Sequence, residues 1–293
     1  MHTSLTRGFK YPLLLTAVLS YQLHADILIG KDVNSSLGPN NSINALYTAN
    51  RGTNGGGDQS LQFGDMLYGT SGDDVIVGGL GMDVLWGKGG DDILIGGTED
   101  FNPFNRDRAF GGEGDDIFLW APGDGNDFFD GGSEVDVLIL GLIGERKDLN
   151  GNEEGSPFFA VNLPGKLGAG DFDGIYLDSN GLPLVNILKS PGFCEVVEKD
   201  NTNITAIEEL NIDHLVRFVI RSQRNDFILS QETANPLVDD GLRISMHIKN
   251  VEFLVCGGVE KDTKKIFDLS VIPAVEVDIS QLPLKAQSLV NDI

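Results

Sequence analysis

Gly69-Thr-Ser-Gly-Asp-Asp-Val-Ile-Val77, Gly78-Gly-Leu-Gly-Met-Asp-Val-Leu-Trp86 and Gly87-Lys-Gly-Gly-Asp-Asp-Ile-Leu-Ile95 repeat one nine-residue unit without a gap. The sixth place puts Asp65, Asp74, Asp83 and Asp92 at intervals of nine. A period this regular marks a repeat architecture. The glycines let the backbone turn sharply and point carbonyl oxygens inward. The three residues after each aspartate are strand-like, and the middle one points opposite its neighbours. Ile76, Leu85 and Leu94 are therefore expected in a narrow core, joined by Phe118 and Leu138 from later units. Turn, short strand, turn, short strand predicts an all-β fold, a flattened helix of parallel strands. One unit cannot bury its apolar residue alone, so stability must come from stacking.

Stacking also brings aspartates of successive layers together. Two carboxylates about 4 Å apart repel by roughly 1 kcal/mol in water and roughly 4 kcal/mol at a protein-like dielectric. A divalent ion between them reverses that sign. Carboxylate and carbonyl oxygens suit a hard cation, and a flexible glycine cage suits calcium better than magnesium. The repeats contain no histidine or cysteine, which argues against zinc or copper.

These units resemble the haemolysin-type calcium-binding repeat, the RTX parallel β-roll, with its pattern Gly-Gly-x-Gly-x-Asp-x-aliphatic-x. Gly78–Trp86 matches at every defined place, while Thr70 and Lys88 replace the second glycine of their units. Gly111–Leu119 matches with Phe118 for the aliphatic, and Gly131–Ile139 has Glu134 at a glycine place. Two units are stretched. One carries an insertion, Thr98 to Arg106, before Asp107; the other, Trp120 to Asp127, reads like a longer closing turn. The resemblance implies that each calcium ion sits between same-side turns. Asp65 with Asp83, Asp74 with Asp92, and Asp92 with Asp116 would then share ions. Carbonyls near Gly79, Gly81, Gly90, Gly112 and Gly114 would complete the shells. Asp107, Asp127 and Asp136 hold the same place in the remaining units.

The 293-residue chain has a formal charge of -23, and Gly64–Leu140 holds 17 acidic residues against 3 basic ones. Such a surface repels nucleic acid and anionic membranes, so nucleic acid is not expected as a partner. Residues 1–25 read as a secretory signal, with Arg7 and Lys10 before an apolar Leu13–Leu19 and a cleavage site at Leu23-His24-Ala25. That stretch is too short to span a bilayer, and no integral membrane span is expected. Export fits calcium, which extracellular modules bind at roughly 0.1–1 mM. A site filled at a hundred times its dissociation constant adds about 2.7 kcal/mol to folding. The two cysteines, Cys194 and Cys256, are either a disulfide or a pair of buried thiols.

Residues 26–62, rich in Asn, Gly and Ser, read as an irregular cap or linker, and residues 63–140 as the roll. From 141 to 293 the nine-residue period is gone. Strand signals replace it at Phe158–Leu163, Ile175–Asp178, Leu184–Leu188, Val216–Arg221, Leu242–Ile248, Val251–Cys256, Ile266–Val271 and Val275–Ile279. This predicts a β-rich C-terminal region of sandwich or jelly-roll type, with short helices only near Ala206–Leu210 and Pro283–Val290. Val75, Val77, Val84, Trp86, Ile93 and Ile95 flank the core places and are also apolar. A cover from the C-terminal region or from the segment before the repeats is expected over one side of the roll.

Asp148-Leu-Asn-Gly-Asn152, Asp171–Gly174 and Asp178–Gly181 read as turns rather than ion sites. No His-Glu-x-x-His and no Gly-x-Ser-x-Gly is present. His214 and His247 are expected at the surface. The sequence therefore reads as an exported calcium-binding protein, not an enzyme, with a structural or adhesive role and a surface or matrix ligand. The alternative is a secreted hydrolase with its site in the C-terminal region and the roll as a folding aid.

Overall fold

The computed structural model describes residues 27–29, 42–49, 62–80, 83–98, 106–122, 124–143, 146–147, 153–154, 182–183, 185–197, 207, 209–221 and 244–291. Residues 1–25, read above as a secretory signal, and the segments 158–163, 171–174 and 175–181 lie outside them.

The strands follow one another as β1 (Ile27–Ile29), β2 (Ser42–Ala49), β3 (Gln62–Tyr68), β4 (Val75–Leu80), β5 (Val84–Gly89), β6 (Ile93–Thr98), β7 (Arg108–Glu113), β8 (Ile117–Trp120), β9 (Phe128–Ser133) and β10 (Val137–Leu140). Two small pairs come next. β11 (Leu142–Ile143) pairs with β14 (Val185–Asn186), and β12 (Arg146–Lys147) with β13 (Glu153–Glu154). The chain continues through β15 (Gly192–Val197), β16 (His214–Ile220), β17 (Ile244–Lys249), β18 (Phe253–Gly257), β19 (Lys264–Asp268) and β20 (Val275–Glu276) to a helix, α1 (Leu284–Asn291).

Alternate strands go to opposite sheets, as a nine-residue unit with one strand requires. Sheet A runs β1-β4-β6-β8-β10-β18-β19-β20, and sheet B runs β15-β16-β17-β9-β7-β5-β3-β2. The roll strands pair in parallel, with Ile76 beside Leu94, Leu94 beside Phe118 and Phe118 beside Leu138. The end of the nine-residue period does not end the sheets. β18 adds to β10 in parallel, with Leu254 beside Leu138, and β17 adds to β9 in parallel, with Ile248 beside Phe129. Antiparallel strands then close each sheet, β19 and β20 on one, β16 and β15 on the other. At the opposite end, the segment read as irregular supplies two strands. β1 is a parallel rung on β4, and β2 lies antiparallel to β3. Its apolar patch Ile27-Leu28-Ile29 gave the only signal for this, and Leu28 is buried beside Ile76.

Between the sheets lies the column the period predicts: Leu28, Leu67, Ile76, Leu85, Leu94, Ala109, Phe118, Phe129, Leu138 and Leu254, all buried. Burying a residue of this size is worth about 1.5–3 kcal/mol. The outward residues of the sheets meet different fates. On sheet A, Val75, Val77, Ile93 and Ile95 are buried beneath Val185, Ile187, Leu282, Ala286, Leu289 and Val290. The C-terminal region thus covers this face, through the β14 segment and α1. On sheet B, Tyr68, Trp86 and Phe110 form a stacked, partly exposed row with centroid spacings of 4.5 and 5.8 Å.

Cys194 and Cys256 form a disulfide with a Cα–Cα distance of 6.0 Å. It joins β15 of sheet B to β18 of sheet A. The expectation of surface histidines is corrected. His214 is buried with Nε2 3.0 Å from the Leu269 carbonyl oxygen, because β16 lies between β15 and β17 instead of at an edge. His247 is half-buried on β17, and burial, reinforced by the Arg106 charge, pushes its pKa down to about 4.

Candidate metal centre

The roll has two edges of turns. Turns leaving sheet B for sheet A carry Asp74, Asp92, Asp116 and Asp136, each one residue before its strand. Turns leaving sheet A for sheet B carry Asp83, Asp107 and Asp127 in the same place. All seven are buried, at no more than 1% exposure, which is costly for an ionisable group without partners.

Along the first edge the carboxylates form a ladder. The Asp74 amide donates to Asp92 Oδ1 at 2.7 Å, the Asp92 amide to Asp116 Oδ1 at 2.8 Å, and the Asp116 amide to Asp136 Oδ1 at 2.9 Å. The Asp136 amide donates in turn to Glu252 Oε2 at 2.9 Å, across 116 residues of sequence. Along the second edge the Asp83 amide donates to Asp107 Oδ1 at 2.6 Å and the Asp107 amide to Asp127 Oδ1 at 2.9 Å. This explains the aspartate at every sixth place. One oxygen ties its turn to the same-side neighbour, and the side chain is just long enough to reach it.

The second oxygen has a different surrounding. Oδ2 of Asp92, Asp116, Asp127 and Asp136 is buried with no hydrogen-bond partner. Glycine at the first place of the unit makes the room. A Cβ at Gly87 would stand 2.1 Å from Asp92 Oδ2, one at Gly111 2.2 Å from Asp116 Oδ2, and one at Gly131 2.3 Å from Asp136 Oδ2. In the unit with Thr70 at the second place, the Thr70 amide and hydroxyl donate to Asp74 Oδ2 at 2.5 and 3.1 Å.

Burial raises the carboxyl pKa of Asp92 to about 8, of Asp116 to about 7 and of Asp136 to about 8. Neighbouring acids add to the rise, Asp116 and Asp74 around Asp92 and Asp116 around Asp136. Lys285 of α1 is the basic residue whose charge opposes it at Asp92 and Asp116. Its ammonium bonds the Asp91 carbonyl and lies 3.8 Å from Asp73 Oδ2.

The stretched turns keep the second edge intact. The longer turn before β9 brings in Asp124, whose Oδ1 accepts from the Gly97 amide at 2.6 Å. One oxygen from each of Asp107, Asp124 and Asp127 lies within 4.8 Å of the other two. Burial and mutual repulsion hold Asp124 and Asp127 well above the usual carboxylate range.

The glycine places behave as turns demand. Gly90, Gly112 and Gly114 have φ of +96°, +125° and +124°. A Cβ at Gly114 would lie 2.2 Å from the Gly90 carbonyl oxygen, so successive turns stack backbone on backbone. Lys88 and Glu134, which replace glycine in the pattern, adopt φ of +83° and +75°, where a side chain costs about 1–2 kcal/mol. Gly79 lies in β4, in register with Gly97. The Asp65 backbone lies in β3, its side chain outside the described residues, as is Gly81.

A family model described as the RTX calcium-binding nonapeptide repeat matches four copies, over residues 65–100 and 123–142. The chain carries RTX calcium-binding repeats. No curated protein and no solved structure matches it. The donor set fits the ion of these RTX repeats. It consists of oxygen, and it includes buried carboxylate oxygens without partners beside glycines that leave space. Asp92, Asp116, Asp127 and Asp136 would hold calcium, with turn carbonyls such as that of Gly90. Calcium supplies the positive charge that lets these buried acids ionise.

Two residues of the RTX edges escaped the sequence reading. Glu252 precedes Phe253-Leu-Val as Asp136 precedes Val137-Leu-Ile, a signal hidden by the change of acid and the lost period. Asp124 sits at the variable third place of its unit, where the pattern specifies no ligand. Among the described residues, no helix is long and apolar enough to cross a membrane.

Proposed function

We propose that this is an exported, calcium-stiffened protein whose RTX roll folds on calcium, with a structural or adhesive role at the cell surface or outside the cell rather than a catalytic one. The observation that carries the calcium-dependent folding is the partnerless, buried Oδ2 on successive rungs. A carboxylate there is destabilising without a cation and a ready ligand with one. The leader-like Arg7–Ala25 supports export, and the charge of -23 supports a medium rich in divalent ions. The surface or matrix ligand would engage the structure that calcium rigidifies.

Calcium titration of the chain without residues 1–25, followed by circular dichroism and calorimetry, tests this reading. A large gain in β signal and melting temperature, reversed by chelator, is expected. The same signal and melting temperature with and without calcium would remove the proposal. Fusing residues 1–25 to a reporter tests export separately, and a reporter retained in the cytosol would refute that part.

A further inference from the structure

The outer faces of the two sheets are finished differently. α1 and the β14 segment cover sheet A, whereas on sheet B the cover ends at Phe128, which packs against Val197, Ile207, Ile212 and Leu215. We propose that the remaining outer face of sheet B, on β3, β5 and β7, docks a second copy of this chain, related by a two-fold axis that runs along the aromatic row. The inference is independent of the calcium reading above.

Tyr68, Trp86 and Phe110 form the middle of this face, one ring per rung. Tyr68 is 37% exposed, and Trp86 and Phe110 are half-buried. Tyr68 and Trp86 are stacked 3° from parallel, and Trp86 and Phe110 11° from parallel. Ring faces are thus turned to one another and offer no platform for a flat ligand such as a sugar. A row of ring edges on a regular sheet suits another sheet, and sheets pack face to face about 10 Å apart.

The charges say which sheet. β7 carries opposite signs at its two ends, Arg108 and Glu113, both exposed. Neither forms an ion pair among the described residues. Their midpoint falls between Phe110 and Gly111, on the aromatic row. A two-fold axis along that row turns β7 of the second copy end for end. Arg108 of each copy then lies over Glu113 of the other, and the two Phe110 rings meet at the axis. A two-fold interface requires this self-complementarity. The wider charge pattern favours the same face. The 3 basic residues of Gly64–Leu140 are Lys88, Arg106 and Arg108, which lie on β5, on β7 or just before β7. On a chain of charge -23, this is where two copies approach with least repulsion. Asp130 of β9, beside the row, is paired with Lys249 at 3.2 Å.

Sedimentation equilibrium of the chain in saturating calcium, over a wide range of concentration, tests the docking. A reversible monomer–dimer equilibrium with no larger species is expected, because a two-fold interface closes on itself. Trp86→Lys should abolish the dimer. Arg108→Glu and Glu113→Arg should each weaken it about tenfold by facing like charges across the interface. The double exchange, Arg108→Glu with Glu113→Arg, should return the affinity to within about threefold of the parent chain, a rescue that reciprocal pairing demands. Circular dichroism of each variant should match the parent chain, since these side chains lie outside the core. A chain that stays monomeric at every concentration overturns the inference. So does a dimer that both single charge variants leave unchanged, or one that the double exchange fails to restore.

Discussion

The two edges of the roll begin alike and finish differently. On one, Asp74, Asp92, Asp116 and Asp136 run in regular order, and Glu252 continues the row onto a strand that left the repeat pattern long before. On the other, the row stops at Asp127. The next residue in register there is Met246, and it is Asn126 that accepts the Ser245 amide. A repeat carboxylate has two jobs, to accept an amide from its neighbour and to bind a cation. Outside the strict period the first job passes to whichever side chain reaches the amide. The second stays only where a spare oxygen remains.

The largest expected effect is on pH dependence. In the calcium-free protein, Asp92, Asp116 and Asp136 have folded pKa values near 8, 7 and 8 against an ordinary 3.8. Between about pH 4 and 8 the folded state binds more protons than the unfolded chain. Stability from these groups is therefore full at the acid end and lost as pH rises towards 8. Melting with chelator should show that fall, and saturating calcium should flatten or invert it. A flat profile without calcium would mean that the acids are not buried as described.

Reducing Cys194–Cys256, which closes a 62-residue separation, should cost about 4 kcal/mol by the chain-entropy model, read by denaturant unfolding with and without reductant. Next comes a pair that separates the two jobs. Asp116→Ala strands the Asp92 amide and should cost about 1–3 kcal/mol even in chelator. Asp116→Asn keeps the acceptor and removes the charge. It should melt higher than the parent chain in chelator and lower in calcium, and a lower melt in both would show that the charge is not the liability. Glu252→Ala should cost about 1 kcal/mol, with Glu252→Gln restoring most of it, measured by thermal melting. The smallest effect is a gain. Glu134→Gly relieves a positive φ for about 1 kcal/mol, less the loss of the Glu134 bonds to Ser133 and the Gly114 amide.

The roll was legible because its signal is periodic. Ile76, Leu85 and Leu94 are buried where alternation places them, and the apolar flanks Val75, Val77, Ile93 and Ile95 predicted a cover. The short helix at Leu284–Asn291 was legible too, though not that it would lie over those flanks. Partnership between distant segments was hidden. Nothing local says that Phe253-Leu-Val docks beside Val137-Leu-Ile, since parallel register is set by packing across 116 residues. His214 was misjudged for the same reason: its acidic neighbours suggested a surface, and the strands beside it supplied the burial. At the metal centre, period gave the sixth-place aspartates, whereas Asp124 and Glu252 depend on turns and pairings that only the fold brings together.

Within each sheet a rung pairs only with the rungs beside it, so the stack approaches a one-dimensional array, with α1 lying across several of its rungs. Its far end is riveted by a covalent cross-strut between sheets, while among the described residues its leading end carries the strands β1 and β2 and no such link. Unravelling is accordingly expected to have a direction, starting on the amino-terminal side, passing the helix strapped over the first rungs and stalling at the rivet. A tether pulling on that side would meet resistance one layer at a time.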